Sequence, residues 1–209
     1  MLAQSLFPDA MSNITLKNIA EEKCHLRDRL LIRRNQLFAA DASEALARNF
    51  FSKVEMREGA AVAGYWPIRG EIDSRPLMGL LHCRGYRCGL CVVKNRGEPL
   101  VFRSWHPSMK LVSGPFGTSV PPLGATNLVP EFILVPLLAF DDAGYRLGYG
   151  GGFYDMSLSS LRAKTKPPIA VGLAYEGQAI SSVPHDSLDE RLDWVITEAG
   201  ARRIDREQL

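Results

Sequence analysis

The run EFILVPLLAF, residues 131–140, constrains the fold of this 209-residue chain more than any other stretch. It is short for a helix and lacks the polar alternation of a strand with one wet face, so it reads as a strand buried within a sheet. Shorter runs of the same kind, AAVAGYW, RCGLCVV, PIAVGLAY and LDWVITEAG, are each bounded by Gly, Pro or polar residues. Between them lie helical patterns. SRPLMGLLHC separates the AAVAGYW and RCGLCVV strands, which implies a parallel pair joined by a crossover, and YDMSLSSLRAK precedes PIAVGLAY. PLVFRSW alternates and reads as an antiparallel or edge strand. The expected fold is α/β, three-layered, with a largely parallel sheet flanked by helices.

Two helices are expected ahead of the sheet. Leu16, Ile19, Lys23, Leu26, Leu30 and Leu37 recur at helical spacing, with Thr15 placed as an N-cap. SEALARNFFSKV (43–54) presents Leu46, Phe50 and Val54 on one face, after a break at Asp41. Residues 1–14 read as a flexible tail and 15–209 as a single domain, a length that buries a core without staples. SGPFGTSVPPLGATN (113–127) is a Pro/Gly/Ser-rich loop, long enough to be functional or mobile.

Charge excludes some partners. With 25 basic and 23 acidic residues, net charge is +2 and carries no general footprint for nucleic acid. No run is long enough to span a membrane, and the N-terminus lacks a secretory pattern, so the cytoplasm is the expected compartment. HCRGYRCGLC spaces Cys83, Cys88 and Cys91 as C-x4-C-x2-C, which superficially matches an iron–sulfur run. The better reading is free cysteine packed as a small hydrophobe beside a buried strand.

The chemistry concentrates in GYRLGYGGGFYD (144–155), between the strongest strand and a helix. In open α/β folds, ligands sit at the carboxyl ends of strands. Gly148, Gly150, Gly151 and Gly152 let backbone approach an anion closely, and the following helix N-terminus favours phosphate. Asp155 is placed to hold a cation that rides on that phosphate. The loop matches neither G-x-x-x-x-G-K-[ST] nor G-x-G-x-x-G, where Phe153 stands for the last glycine, so glycine content alone fits a structural turn equally well.

RLGYGGGFYD, with the lead-in VPLLAFDDAGY, resembles the signature of the 5-formyltetrahydrofolate cyclo-ligase family. EKCHLRDRL, GYWPIRGEIDSRPL and VPHDSLDERLDWVITE match that family's other segments in order, so the resemblance spans residues 16–198. It implies ATP- and Mg2+-dependent cyclisation of 5-formyltetrahydrofolate to 5,10-methenyltetrahydrofolate, with release of ADP and phosphate through a phosphorylated formyl group. It implies small-molecule partners and, by expectation, a monomer with no membrane or nucleic acid. Lys23, Arg27 and residues Arg146, Leu147, Gly148, Tyr149, Gly150, Gly151, Gly152, Phe153 and Tyr154 would bind ATP. Tyr154 and Arg146 would serve catalysis. Trp66, Glu71, Phe116 and Tyr154 would contact folate, and Asp155 and Asp189 the metal.

Taken alone, several of these residues have plainer readings. Lys23 and Arg27 fit a solvated helix face, Glu71 a polar turn, Trp66 a core aromatic and Asp189 a capping carboxylate. Asp193, at the start of the final strand, reads as structural. The loop also departs from the family. Tyr149 and Gly151 stand where some members carry arginine and lysine, which throws more weight on Lys23, Arg27 and Arg146. Phe153 replaces a tyrosine, and Val120 occupies a position where bacterial members tend to have glutamate. Two other readings stay open: a non-catalytic module that binds nucleotide, folate or RNA, and a sugar-phosphate or CoA-type enzyme of related architecture.

Overall fold

A computed structural model describes residues 9–205. Helix α1 (Asp9–Asn35) and helix α2 (Ala42–Lys53) lead into strand β1 (Ala61–Gly64), helix α3 (Arg75–Cys83), β2 (Arg87–Val92) and β3 (Val101–Ser104). The short strands β4 (Val112–Ser113) and β5 (Ser119–Val120) precede β6 (Phe132–Pro136), β7 (Ala139–Phe140) and β8 (Arg146–Leu147). Helix α4 (Phe153–Arg162) is followed by β9 (Ile169–Leu173), β10 (Trp194–Ile196) and β11 (Ala201–Arg203). Seven strands form one sheet in the order β11-β10-β9-β6-β1-β2-β3. The five inner strands are parallel, and both edges, β3 and β11, are antiparallel.

Successive side chains on a strand point to opposite faces, so a strand covered on both sides must be apolar at both parities. Val62, Leu90, Phe132, Leu134 and Val171 pack beneath α2 and α3, against Leu46, Phe50, Leu77 and Leu81. Ala61, Ala63, Ile133, Val135 and Ala170 face the other way, toward Leu158 of α4. Each fully buried Leu or Phe contributes about 1.5–3 kcal/mol of transfer free energy. Gly64 lets α3 settle onto the end of β1, since a Cβ there would lie 2.6 Å from Met78 Sδ.

The run 131–140 is not one strand. Proline has no N–H to give a ladder, and β6 ends at Pro136. The chain then makes the antiparallel β7–β8 hairpin, and the glycine loop leaves that hairpin rather than β6 itself. Asp141 is buried and accepts hydrogen bonds from the N–H groups of Tyr145 (2.9 Å) and Val183 (2.8 Å), so it pins the hairpin. Leu30 of α1 packs on the same hairpin through Leu138, Ala139 and Leu147. Helix α1 begins at Asp9, well before Thr15, which lies inside it; residues 1–8 of the expected tail fall outside the described residues. Asp41 stands at the N-cap of α2 without a side-chain capping bond. Asp193 accepts from Ala170 N–H (2.7 Å) and Arg162 (3.0 Å), joining β9 and α4 to the start of β10. Among the described residues, no helix is long and apolar enough to cross a membrane.

Candidate active site

Strand β1 has β2 on one side and β6 on the other, so the sheet order reverses between β1 and β6. Ligands in open α/β sheets occupy the crevice beyond the strand ends at such a point. A cavity of about 920 Å³ opens there, lined by the turn after β1, the end of β2, Pro136, the glycine loop, the start of α4, two side chains of α1 and the 186–190 segment.

The glycine loop forms one wall. Gly150 has φ +89° and Gly152 φ +66°, left-handed backbone that side chains rarely adopt. Gly152 is the N-cap of α4, so the first N–H groups of that helix lack intrahelical partners and face the same end as the loop. At Gly151 a Cβ would fall 2.6 Å from the Phe153 ring. Arg27 crosses from α1 and donates from Nε to the Gly148 carbonyl at 3.0 Å. Lys23, one turn earlier, is ion-paired with Asp189 and lies 3.5 Å from Asp186. The structure therefore brings both cations to the cavity and does not leave them on a solvated face.

Asp155 enters in the first turn of α4. Its Oδ1 accepts from Arg146 Nη2 at 2.7 Å and from Glu190 N–H at 3.0 Å, while Arg146 also donates to the Glu190 carbonyl. Asp189 accepts from Asp186 N–H at 2.7 Å, so it closes a turn and pairs with Lys23 at once. Both carboxylates expected to bind metal thus line one cavity, each already engaged by a cation.

The same cavity is lined by the other expected residues. Glu71 is buried, and its Oε2 accepts from Ile68 N–H at 2.9 Å. Burial raises its carboxyl to about 7, against the opposing pull of that hydrogen bond, of Arg34 and Arg69, and of the Tyr149 hydroxyl. Tyr65 O–H donates to Ile72 O (2.8 Å) and Ser74 Oγ to Tyr65 O (2.6 Å), which braces the turn presenting Glu71. Trp66 lines the cavity with the Arg75 guanidinium 5.4 Å from its ring centre. Phe116, exposed at φ +59°, faces Phe153 across 5.9 Å. Tyr154 O–H lies 3.3 Å from Cys91 Sγ. Burial lifts Tyr154 well above its ordinary value and Cys91 to about 11, so the pair is a neutral phenol and a neutral thiol. Cys88, three residues earlier on β2, points the other way into the core. Val120 is buried in the β4–β5 hairpin opposite Val112.

Sequence reasoning missed Arg34. It is 1% exposed, donates to Leu137 O (3.1 Å), Arg69 O (2.6 Å) and the Tyr149 hydroxyl, and keeps one nitrogen, Nε, without a partner. It ties α1 to the end of β6, the Glu71 turn and the glycine loop. The signal was present in the spacing Lys23, Arg27, Leu30, Arg34, a single stripe of helix face.

The family model described as the 5-formyltetrahydrofolate cyclo-ligase family matches residues 19–198. The 5-formyltetrahydrofolate cyclo-ligase of Haemophilus influenzae is 31% identical over 153 residues, covering 71% of this chain and 81% of its own. That of Mycolicibacterium smegmatis is 31% identical over 186 residues, covering 84% and 93%. The solved 5,10-methenyltetrahydrofolate synthetase of Aquifex aeolicus superposes with a TM-score of 0.72 at 32% identity, over 90% of this chain and 95% of that one. With its sheet order, cavity and glycine loop accounted for, the chain is an enzyme and belongs to the 5-formyltetrahydrofolate cyclo-ligase family.

Proposed function

We propose that this chain cyclises 5-formyltetrahydrofolate to 5,10-methenyltetrahydrofolate at the expense of ATP, with Mg2+, as a cytoplasmic monomer acting on small molecules. The observation that carries the reading is the division of one cavity. Its lining gathers backbone N–H groups, Lys23, Arg27 and Arg146 around the glycine loop and the 186–190 segment, and a buried acceptor, Glu71, with Trp66 on the turn after β1.

The reaction needs such a division. A formyl oxygen is a poor leaving group. Its attack on the terminal phosphorus of ATP expels ADP and gives an iminium phosphate, and N10 of the same folate then attacks the formyl carbon. Phosphate departs with the former formyl oxygen, N10 loses its proton, and the methenyl bridge remains. The protein's share is positioning and charge stabilisation. The glycine loop and the N-terminus of α4 cradle phosphate oxygens, joined by Lys23 and Arg27. Arg146 holds Asp155 at the mouth and sets a positive charge beside the phosphoryl group in transit. Tyr154 donates its hydroxyl proton as a hydrogen bond to the reacting oxygen, which a neutral phenol can do. Glu71 accepts hydrogen bonds from the pterin, Trp66 lines its face, and Phe116 closes the rim.

The donor set suits magnesium. Among the described residues no three His, Cys, Asp or Glu side chains converge as a metal cluster. The protein offers the carboxylates of Asp155 and Asp189, hard oxygen ligands of the kind Mg2+ takes in ones and twos alongside phosphate and water. The ion would neutralise charge on the phosphates when bound. Mixing purified protein with 5-formyltetrahydrofolate and Mg·ATP should raise the near-ultraviolet band of the methenyl product, and omission of ATP or addition of EDTA should abolish the rise. A flat trace from folded protein would refute the proposal.

A further inference from the structure

The glycine loop lacks a charged side chain at both 149 and 151. The cations around it already have partners before any ligand arrives: Lys23 pairs with Asp189 and Asp186 and Arg146 with Asp155, while Arg27 donates to the neutral Gly148 carbonyl. Arg69 is different. It is exposed, lines the cavity, and makes no ion pair among the described residues. Its guanidinium sits 5.3 Å from the centre of the Tyr149 ring, and Arg34 lies 5.4 Å from the same ring. The tyrosine that removes a charge from the loop is therefore the platform on which a charge from another segment rests.

The backbone at Arg69 is specified as well. Its φ is +50°, a conformation uncommon for a residue with a side chain. Such strain persists only where the surroundings impose it, and here the buried Arg34 Nη2 holds the Arg69 carbonyl at 2.6 Å. Ile68, immediately before it, donates to Glu71, immediately after Gly70. The turn that presents the folate-side acceptor thus also delivers a guanidinium onto the phosphate-side loop. Two other cavity-lining arginines lack a carboxylate partner among the described residues: Arg27 donates to the Gly148 carbonyl, and Arg96 stacks on Phe116 (5.5 Å), not on the glycine loop.

We propose that Arg69 binds the terminal phosphoryl group of the nucleotide, supplying from the substrate turn the charge that the loop does not carry at 149, with Tyr149 as its support. This rests on the ATP reading of the site given above. A guanidinium offers a planar fork that matches phosphate oxygens, and lysine does not reproduce that fork. Its location between Glu71 and the glycine loop is where the group passing from nucleotide to formyl oxygen must lie.

The test is equilibrium binding of Mg·ATP, Mg·ADP and 5-formyltetrahydrofolate, each alone, to wild type, Arg69→Gln, Arg69→Lys and Tyr149→Ala, with circular dichroism to confirm folding. Arg69→Gln should weaken ATP by roughly 10- to 100-fold, the scale of a lost charge-assisted contact, while ADP and folate hold within about threefold. Arg69→Lys should recover part of the loss, and Tyr149→Ala should lower ATP affinity in the same selective way. An unchanged ATP-to-ADP ratio in Arg69→Gln overturns the proposal. So does a loss confined to folate, which would assign the guanidinium to a folate carboxylate instead. A wild type that binds folate but neither nucleotide removes the underlying ATP reading, and the proposal with it.

Discussion

Replacing Glu71 with glutamine should stabilise the protein in a way that depends on pH, and the size of the effect follows from burial. The carboxyl is raised from an ordinary 4.5 to about 7, chiefly by desolvation. Between those values the folded state keeps a proton that the unfolded chain has released, so wild-type stability falls as pH rises through that window. At about 1.4 kcal/mol per pH unit, the full penalty for ionising the buried group is about 3 kcal/mol. Glutamine does not ionise and can still accept from Ile68 N–H, which now bonds Glu71 at 2.9 Å. Urea unfolding of wild type and Glu71→Gln at pH 5 and pH 8 isolates the term, because groups common to both cancel. The variant should gain about 2–3 kcal/mol relative to wild type on going from pH 5 to pH 8. It should also lose affinity for 5-formyltetrahydrofolate if the carboxylate is the pterin acceptor. A stability difference that is the same at both pH values would refute the argument, since it would mean that Glu71 ionises in the fold as easily as in water.

Asp155→Ala should abolish methenyl formation while leaving the circular dichroism spectrum intact; full retained activity would remove its proposed metal role. Gly152→Ala should cost about 1–2 kcal/mol in urea unfolding through backbone strain alone, because φ is +66° and the nearest atom to a Cβ would be Met156 Cε at 3.9 Å; an unchanged midpoint would show that the α4 cap relaxes. Arg34→Met should destabilise by about 3 kcal/mol or more, since it strips hydrogen bonds from two carbonyls and a hydroxyl at a buried position. A loss under about 1 kcal/mol in the same assay would argue that those groups find other partners.

The parallel sheet was legible because its strands are buried on both faces and so carry apolar residues at both parities, a pattern that water does not permit elsewhere. What was not legible are the elements whose reasons lie in tertiary contact. Strand β11 is three residues with two arginines, Arg202 and Arg203, and carries no local strand signal; it exists because it pairs with β10. The break at Pro136 could have been read from the proline itself. In the site, the glycine loop was visible in composition; Arg34 lies on the helix stripe of Lys23, Arg27 and Leu30, but an arginine in an ordinary charged helix does not announce that it will be buried. Only the hairpin folding onto α1 decides that. Asp189 illustrates a reading that was not a choice at all: it caps a turn and faces Lys23 in the cavity.

The pairing of the site's cations with carboxylates bears on how nucleotide and metal would enter. Lys23 and Arg146 gathered in a half-buried cavity would repel one another, and Asp189, Asp186 and Asp155 offset that repulsion before any ligand arrives. A phosphate that takes Lys23 or Arg146 alone strands a carboxylate, and a divalent cation that takes Asp155 or Asp189 alone strands a cation. An unpaired charge in a partly buried site costs several kcal/mol. Both together exchange partners and strand nothing, so binding of metal and nucleotide should be strongly linked. Calorimetric titration should find Mg2+ alone and ATP in EDTA each bound at least about tenfold more weakly than in the other's presence, a coupling of about 1.4 kcal/mol or more. Metal affinity that is unchanged by saturating nucleotide would mean that the carboxylates are not released by the phosphates, and that these ion pairs belong to the scaffold and take no part in ligand exchange.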